Sequence, residues 1–196
     1  MIVRFSLVFL AYFLVINVVL ADETEEIISV ASYIGSSELN ASPVDIISSQ
    51  EFKNLRVSTV AELSKYLSIA SGSHFQTNAL DGVDQGMSSI TLRGLDHAST
   101  LILINKKRQT HSGTPSNEGE GYIDVNIIPE IALERIEILK DGATSLYGSD
   151  AVAGVINFKT YHLFDGLRVS ASSQKTSNYH QIDNSLGVLY GGNAFN

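Results

Sequence analysis

A short run without any charged residue, positions 100–105, most constrains what this chain can fold into. Its sequence, Thr-Leu-Ile-Leu-Ile-Asn, is apolar at four consecutive positions. A strand that is apolar on both sides has to be covered on both sides. We therefore predict a sheet inside a layered domain, with another strand at Gly154–Thr160 and alternating strands at 89–94 and 135–138.

A helix is predicted upstream of these strands. Thr59 and Glu62 form a Thr-x-x-Glu pattern, which supplies acceptors for the free N–H groups of a first helical turn. Val60, Leu63 and Leu67 then recur at helical spacing, so the pattern predicts a helix over 59–68 with one buried face.

The remaining segments of this region are polar connections. Residues 70–89 and 106–121 are rich in Gly, Ser, Asn and Asp, with little periodicity, and are predicted to be long loops. Pro129 is suited to the first turn of a short helix, and Asp141-Gly142 predicts a turn. The whole pattern indicates a small mixed α+β domain with short helices and two long loops.

The N-terminus indicates export. Arg4 is the only charged residue before Asp22, and the stretch between them is almost entirely apolar. The run is shorter than the roughly 20 residues of a spanning helix, so residues 1–21 are predicted to be a signal peptide cleaved after Ala21. The alternative is an anchor that is retained. Residues 22–42 are acidic and serine-rich.

The pattern changes after Asp165-Gly166. Apolar residues alternate with polar ones in two segments, around 167–171 and 182–190, separated by a polar turn. Such alternation is typical of transmembrane β-strands with lipid on one side and a wet lumen on the other. An ordinary exposed hairpin gives the same pattern, and the sequence leaves both interpretations open.

The sequence gives little support for nucleic-acid binding, catalysis or metal binding. The net charge of −8 argues against nucleic acid, and the absence of cysteine excludes disulfides and thiolate sites. The five histidines are scattered, and only His74, near Asp81 and Asp84, suggests a possible contact with a cation. We predict no catalytic residue, no resident metal and no cofactor.

Three stretches taken together resemble a known family. They are residues 92–95 with 100–108, residues 128–142, which contain Leu-Glu-Arg-Ile-Glu-Ile-Leu-Lys-Asp-Gly, and residues 145–158, which contain Ser-Leu-Tyr-Gly-Ser-Asp-Ala-Val-Ala-Gly-Val-Ile-Asn-Phe. In this order and spacing they resemble the plug domain of TonB-dependent outer-membrane receptors. The resemblance covers roughly residues 25–165.

The resemblance implies a domain organisation and a transport function. It implies a TonB-contacting segment at 22–42, a plug domain at 43–163 and the first two strands of a transmembrane antiparallel β-barrel at 164–196. Such a chain is the N-terminal part of an active importer in the outer membrane of a Gram-negative bacterium. Its expected partners are TonB, outer-membrane lipid and an extracellular ligand such as a siderophore-iron complex, haem or cobalamin. The alternative is a stand-alone secreted or periplasmic module that binds a ligand.

The resemblance also implies roles for particular residues. Basic plug residues in this family pair with acidic residues on the inner barrel wall, and the matching positions here are Arg93, Arg135 and Lys140. Local pairing of Arg135 and Lys140 with Glu134 and Glu137 is the alternative. The expected TonB box, which adds as a strand to the edge of a partner's sheet, consists of Glu26, Ile27, Ile28, Ser29, Val30 and Ala31.

Overall fold

The computed structural model describes residues 44–55, 57, 59–73, 86–113, 115–116, 119–175 and 182–192. The described part contains a five-stranded mixed sheet in the order β1-β4-β5-β2-β3. The β2–β5 pair is parallel and the other pairs are antiparallel. The strands are β1 (Val44–Ser48), β2 (Thr100–Ile104), β3 (Lys107–Arg108), β4 (Leu133–Leu139) and β5 (Gly154–Thr160).

Short helices connect these strands. Two are α-helical, α1 (Ser49–Asn54) and α2 (Thr144–Tyr147). The others are 3₁₀ helices at Val60–Tyr66, His97–Ser99, Val125–Ile127, Glu130–Ala132 and Ser149–Ala151. We call the part from β1 to the end of β5 the sheet domain.

The sheet is covered on both faces, as the apolar run at 100–105 predicted. One face packs Ile102, Ile156 and Phe158 into a large core beneath the Val60–Tyr66 helix. The other packs Leu101, Leu103, Leu139 and Val155 against Ala143 and Ala151. Burying one such side chain stabilises the fold by about 1.5–3 kcal/mol. The predicted strands at 100–105 and Gly154–Thr160 are confirmed, and β4 extends beyond its predicted ends.

The predicted helix at 59–68 is present as a tighter 3₁₀ helix. The Thr59 side chain accepts a hydrogen bond from the Glu62 N–H at 3.4 Å, so the predicted cap is confirmed. Val60 and Leu63 are buried, and the partly buried Leu67 packs against the same core. Pro129 immediately precedes the Glu130–Ala132 helix, where its fixed φ suits the entry of the chain.

The predicted strand at 89–94 is wrong beyond an isolated bridge at Ser89. The Thr91 N–H donates to Ser73 Oγ at 3.1 Å, and the Arg93 N–H donates to the Ile69 carbonyl at 2.7 Å. Arg93 has a left-handed φ of 61°, which ends any extended run. Alternate residues of a strand share one face, but here Thr91 is buried and Arg93 is exposed.

The start of the predicted loop 106–121 is a hairpin rather than a loop. Asn105 and Lys106 have φ of 50° and 66°, and consecutive left-handed residues of this kind turn one strand into the next. The turn lets Lys107 and Arg108 pair with β2. The alternation of apolar and polar residues could not reveal this strand pairing, because β3 contains only two residues.

A separate two-stranded sheet follows the sheet domain. Strands β6 (Gly166–Lys175) and β7 (Ile182–Gly191) form an antiparallel hairpin, which confirms the two predicted strands. The register places apolar residues opposite one another: Leu167 faces Tyr190, Val169 faces Val188 and Ala171 faces Leu186. Among the described residues, none of the helices has the length and apolar character needed to cross a membrane.

Gly154 provides a test of how tightly the sheet is packed. Its φ is 143°, and a Cβ atom there would lie 2.5 Å from the Leu139 carbonyl oxygen and 2.8 Å from Leu92 Cδ1. We expect Gly154→Ala to lower the free energy of unfolding by about 2–4 kcal/mol, measured by urea denaturation. Gly113→Ala is the matched control, because no atom lies within 4 Å of its Cβ position. Equal stability of the two variants would contradict this packing.

Candidate interface between the sheet domain and the hairpin

Two of the three basic residues predicted to contact a barrel wall form ion pairs at the surface of the sheet domain. Arg93 Nη2 lies 3.1 Å from Asp141 Oδ1, and both side chains are nearly half exposed. Lys140 Nζ pairs with Asp45 Oδ2 on β1. Exposed pairs of this kind contribute little stability, about 0–1 kcal/mol. Their contact with a wall stays a prediction.

The third basic residue, Arg135, belongs to a buried polar chain. Its Nε donates to Glu137 Oε1 at 2.8 Å, and Glu137 Oε2 accepts from Asn157 Nδ2 at 2.9 Å. Asn157 Oδ1 in turn accepts from the Lys106 N–H at 2.9 Å. Local pairing of Arg135, the alternative that the sequence left open, is confirmed, with Glu134 also 3.6 Å away. Its contact with a wall likewise stays a prediction.

The hairpin is fastened to the sheet domain by Arg168, a residue that sequence reasoning missed. The Arg168 guanidinium lies 4.8 Å from the centre of the Tyr161 ring and 5.1 Å from that of Phe164, within the range of cation–π attraction. Arg168 Nη1 also donates to the Tyr161 hydroxyl at 3.1 Å. That hydroxyl donates to Ser49 Oγ at 3.1 Å.

This cluster, the Arg168 clamp, joins three elements. Ser49 begins α1 directly after β1, Tyr161 directly follows β5, and Arg168 lies on β6. Burial alone would raise the pKa of the Tyr161 phenol, but hydrogen bonds with Ser49 and Arg168 hold it below its usual value. The alternation of β6 places Arg168 on the polar face, but no local pattern identifies Tyr161 as its partner.

Part of the hairpin's polar face lies beside the sheet domain, and the large apolar residues of its other face are exposed. Ser170, Ser185 and Gly187 line a cavity of about 350 Å³ together with Asn126 and Glu130. The contact is close beside it, because a Cβ atom on Gly187 would lie 3.3 Å from Ile131 Cδ1. The two faces of the hairpin therefore meet different surroundings.

Glu130 is the titratable residue that lines this cavity, and the pKa of its carboxyl group is raised. Burial raises the pKa of its carboxyl group, and the nearby charge of Glu62 raises it further. Its Oε2 is buried, and in the described structure it has no hydrogen-bond partner. A buried carboxylate oxygen without a donor destabilises the charged form.

The family resemblance implies that a ligand contacts two loops, 71–89 and 108–121, and the structure describes these loops in part. Arg108, at the start of the second loop, donates from Nη1 to Asp150 Oδ2 at 2.6 Å and from Nη2 to the Tyr147 carbonyl. The Arg108 hydrogen bond, helped by one from Ser149, lowers the pKa of Asp150. These contacts hold the beginning of the loop against α2.

Several predicted features lie outside the described residues. These are the signal peptide, the expected TonB box at 26–31 and the suggested cation contact at His74, Asp81 and Asp84. Within the ranges that the structure describes, His, Cys, Asp and Glu residues form no group of three that could hold a metal ion.

A mixed sheet with short helices, followed by an antiparallel hairpin, matches the plug domain of TonB-dependent receptors. The family model for the TonB-dependent receptor plug domain matches residues 37–155. The chain belongs to this family, which confirms the resemblance found in the sequence.

Named relatives agree with this assignment. The chain is 43% identical over 74 residues to the iron-regulated outer membrane virulence protein of Vibrio cholerae serotype O1, covering 37% of this chain and 11% of that protein. It is 32% identical over 117 residues to the vitamin B12 transporter BtuB of Vibrio vulnificus, covering 60% and 17%. These relatives are named as a membrane protein and a transporter, not as enzymes.

A solved structure shows the same fold. The siderophore receptor PirA from Acinetobacter baumannii superposes with a TM-score of 0.56 at 26% identity, over 78% of this chain and 22% of that one. The chain thus spans between 11% and 22% of the lengths of these similar proteins.

The Arg168 clamp can be tested by removing one oxygen atom. Tyr161→Phe keeps the ring under the guanidinium but removes the hydroxyl that links Arg168 to Ser49. We expect the free energy of unfolding to fall by about 1–2 kcal/mol, measured by urea denaturation. Tyr66→Phe, on an exposed ring, is the control and should change nothing. An unchanged midpoint for Tyr161→Phe would show that the hydroxyl link does not stabilise the fold.

The raised pKa of Glu130 predicts a pH dependence in this 196-residue chain. Above its raised pKa, the Glu130 carboxylate is charged and destabilises the folded state. Below the ordinary pKa of 4.5, the group is protonated in both the folded and the unfolded state and has no effect on stability. Glu130→Gln should therefore raise the urea midpoint at pH 7 and lose this advantage as the pH falls below 4.5. A gain that persists at low pH would contradict a charge effect.

Proposed function

We propose that the chain is the plug and the first two wall strands of a TonB-dependent outer-membrane transport receptor. In this proposal residues 1–21 are a signal peptide cleaved after Ala21, 22–42 carry the TonB box, 43–163 form the plug and 164–196 begin the barrel. The observation that carries the proposal is the two-faced hairpin. Leu167 and Tyr190 on its outer face are 66% and 79% exposed, whereas Ser170 and Gly187 on the other face are partly buried and line the cavity.

The outer face is suited to lipid rather than to water. Six large apolar residues are exposed on two adjacent strands, and a contiguous apolar surface on a soluble protein favours aggregation. In a bilayer the same residues face hydrocarbon, as lipid-facing strands of barrels do. This surface favours the receptor over a stand-alone soluble module. The six residues are Leu167, Val169, Ile182, Leu186, Val188 and Tyr190.

The proposed ligand is a metal chelate taken up from outside the cell. The similar proteins are named as iron-regulated, as a vitamin B12 transporter and as a siderophore receptor. A siderophore-iron complex and cobalamin are therefore the first two candidate ligands, and haem is the third. We propose that the ligand contacts the loops at 71–89 and 108–121 and barrel loops beyond residue 196. The receptor breaks and forms no covalent bond in this transport.

The proposed signal passes from the ligand to the TonB box. Ligand binding shifts the population in which residues 26–31 are accessible from the periplasm. The box then adds as a strand to a sheet edge of TonB, which is energised from the inner membrane. Arg93, Arg135 and Lys140 are proposed to meet acidic wall residues in the complete receptor. For Arg93 and Lys140 this means sharing or exchanging their present surface partners.

The test uses the full-length receptor in a Gram-negative host with and without TonB. Ile28→Pro removes a backbone donor and breaks strand pairing at the proposed box. We expect uptake of radiolabelled siderophore-iron or cobalamin to fall to the level of the TonB-deficient host, while binding at the cell surface is kept.

The matched control is Ser36→Pro, which places the same proline outside the box but in the same serine-rich stretch, and should leave uptake intact. Normal import by Ile28→Pro would show that residues 26–31 are not the TonB box. Import by the wild-type receptor that does not depend on TonB would contradict the proposed function itself.

A further inference from the structure

We propose that Glu130 is the plug's half of an ion pair with the barrel wall, and that its partner is a lysine or arginine side chain on a wall strand beyond β7. The inference rests on the proposed function, because it needs a wall that continues past the hairpin. It assigns an acidic plug residue to the interface, which is the opposite polarity from that implied by the family resemblance.

The first observation is an acceptor without a donor. Glu130 Oε2 is buried, and no group in the described ranges donates to it. Glu120 Oε2 is also buried without a donor in the described structure, but Glu120 lines neither of the two cavities beside the hairpin. Glu137, which is fully buried, has donors at both oxygens. A carboxylate oxygen withdrawn from water requires a donor, and buried polar atoms that lack one are uncommon in native proteins.

The second observation is the charge around Glu130. The Val60–Tyr66 helix contributes Glu62, whose negative charge acts on Glu130 and which itself pairs with Lys65 at 3.3 Å. Lys53 of α1 and Arg168 of β6 line a neighbouring cavity of about 280 Å³, but neither forms an ion pair with Glu130 in the described structure. Arg168 is already engaged in its clamp. The local field therefore favours an additional cation.

The third observation is the space beside the carboxylate. Glu130 and Ile131 line both cavities, one of about 350 Å³ and one of about 280 Å³. A water molecule occupies about 30 Å³ of liquid volume, so the end of a lysine or arginine side chain also fits. The hairpin offers the larger cavity only neutral residues, Ser170, Ser185, Leu186 and Gly187.

These observations select the occupant. Water can fill the space and donate hydrogen bonds, but it carries no charge to offset the Glu130 carboxylate, whereas Glu62 already has Lys65 as its partner. Of the sheet domain's basic residues, Arg93, Arg135 and Lys140 have partners elsewhere. Lys53 lines the smaller cavity, but among the described contacts it forms no ion pair with Glu130. In the proposed receptor, the wall strands that follow β7 supply the cation.

The experiment measures how well the full-length receptor excludes vancomycin from intact cells. Glu130→Arg places two cations together at the proposed pair, and we expect the inhibitory concentration to fall about tenfold. Glu130→Gln keeps the shape of the side chain and should lower it about twofold. Glu51→Arg makes the same charge change on the exposed surface of α1 and should have no effect.

A second arm identifies the partner. In the Glu130→Arg background, each lysine and arginine of the later wall strands is changed singly to glutamate. We expect one position to restore exclusion of vancomycin. Restoration at none of them, or normal exclusion by both Glu130 variants, would overturn the proposal and indicate a hydrated or protonated carboxyl group.

A folding control separates this proposal from the proposed function. Every variant is checked for the altered gel mobility that a folded barrel shows before heating. Absence of this behaviour in the wild-type receptor would overturn the barrel assignment as well. A folded wild-type barrel with TonB-dependent uptake but no effect at Glu130 would overturn only the ion pair. If Glu130→Arg does not fold, Glu130→Gln alone decides, and unchanged exclusion overturns the ion pair.

Discussion

The structure depends on one carboxylate that is buried at the centre of the sheet. Glu137 is fully buried, and an unpaired charge there would cost about 3–5 kcal/mol. Arg135 on its own strand, Asn157 on β5 and, through Asn157, the Lys106 N–H of the β2–β3 turn complete its polar chain. A shift of one residue between β4 and β5 would break this chain, so the buried charge specifies the register of the central strands.

The contact between the sheet domain and the hairpin is of a different kind. The sheet is closed by two dry apolar layers, whereas the hairpin is held by the Arg168 clamp beside two open cavities. Fewer apolar contacts mean lower local stability at such a boundary. The sheet domain is therefore better suited to shift against the hairpin as a unit than to deform internally, in keeping with the proposed transport function.

Sequence predictions succeeded where the signal was local and periodic. The apolar run at 100–105, the strand Gly154–Thr160, the Thr59 cap and the two alternating segments of the hairpin are confirmed. The failure at 89–94 has a physical cause. Its alternation is real, but the backbone N–H groups bond to residues 69–73 and to the Thr100 side chain, which a one-dimensional pattern does not contain.

The sequence by itself determined the central strands, the helix capped by Thr59, the two faces of the hairpin and, through its motifs, the family, because side-chain alternation and turn residues act over a few neighbouring positions. Only the tertiary structure decided the partners: Asp141 for Arg93, Asp45 for Lys140 and Tyr161 for Arg168. It also decided that Glu130, one acidic residue among many, has a buried oxygen without a donor. Which side chains become buried or paired depends on which distant segments of the chain come into contact. The free energy of a charged group in the folded state depends on those contacts rather than on its neighbours in the sequence.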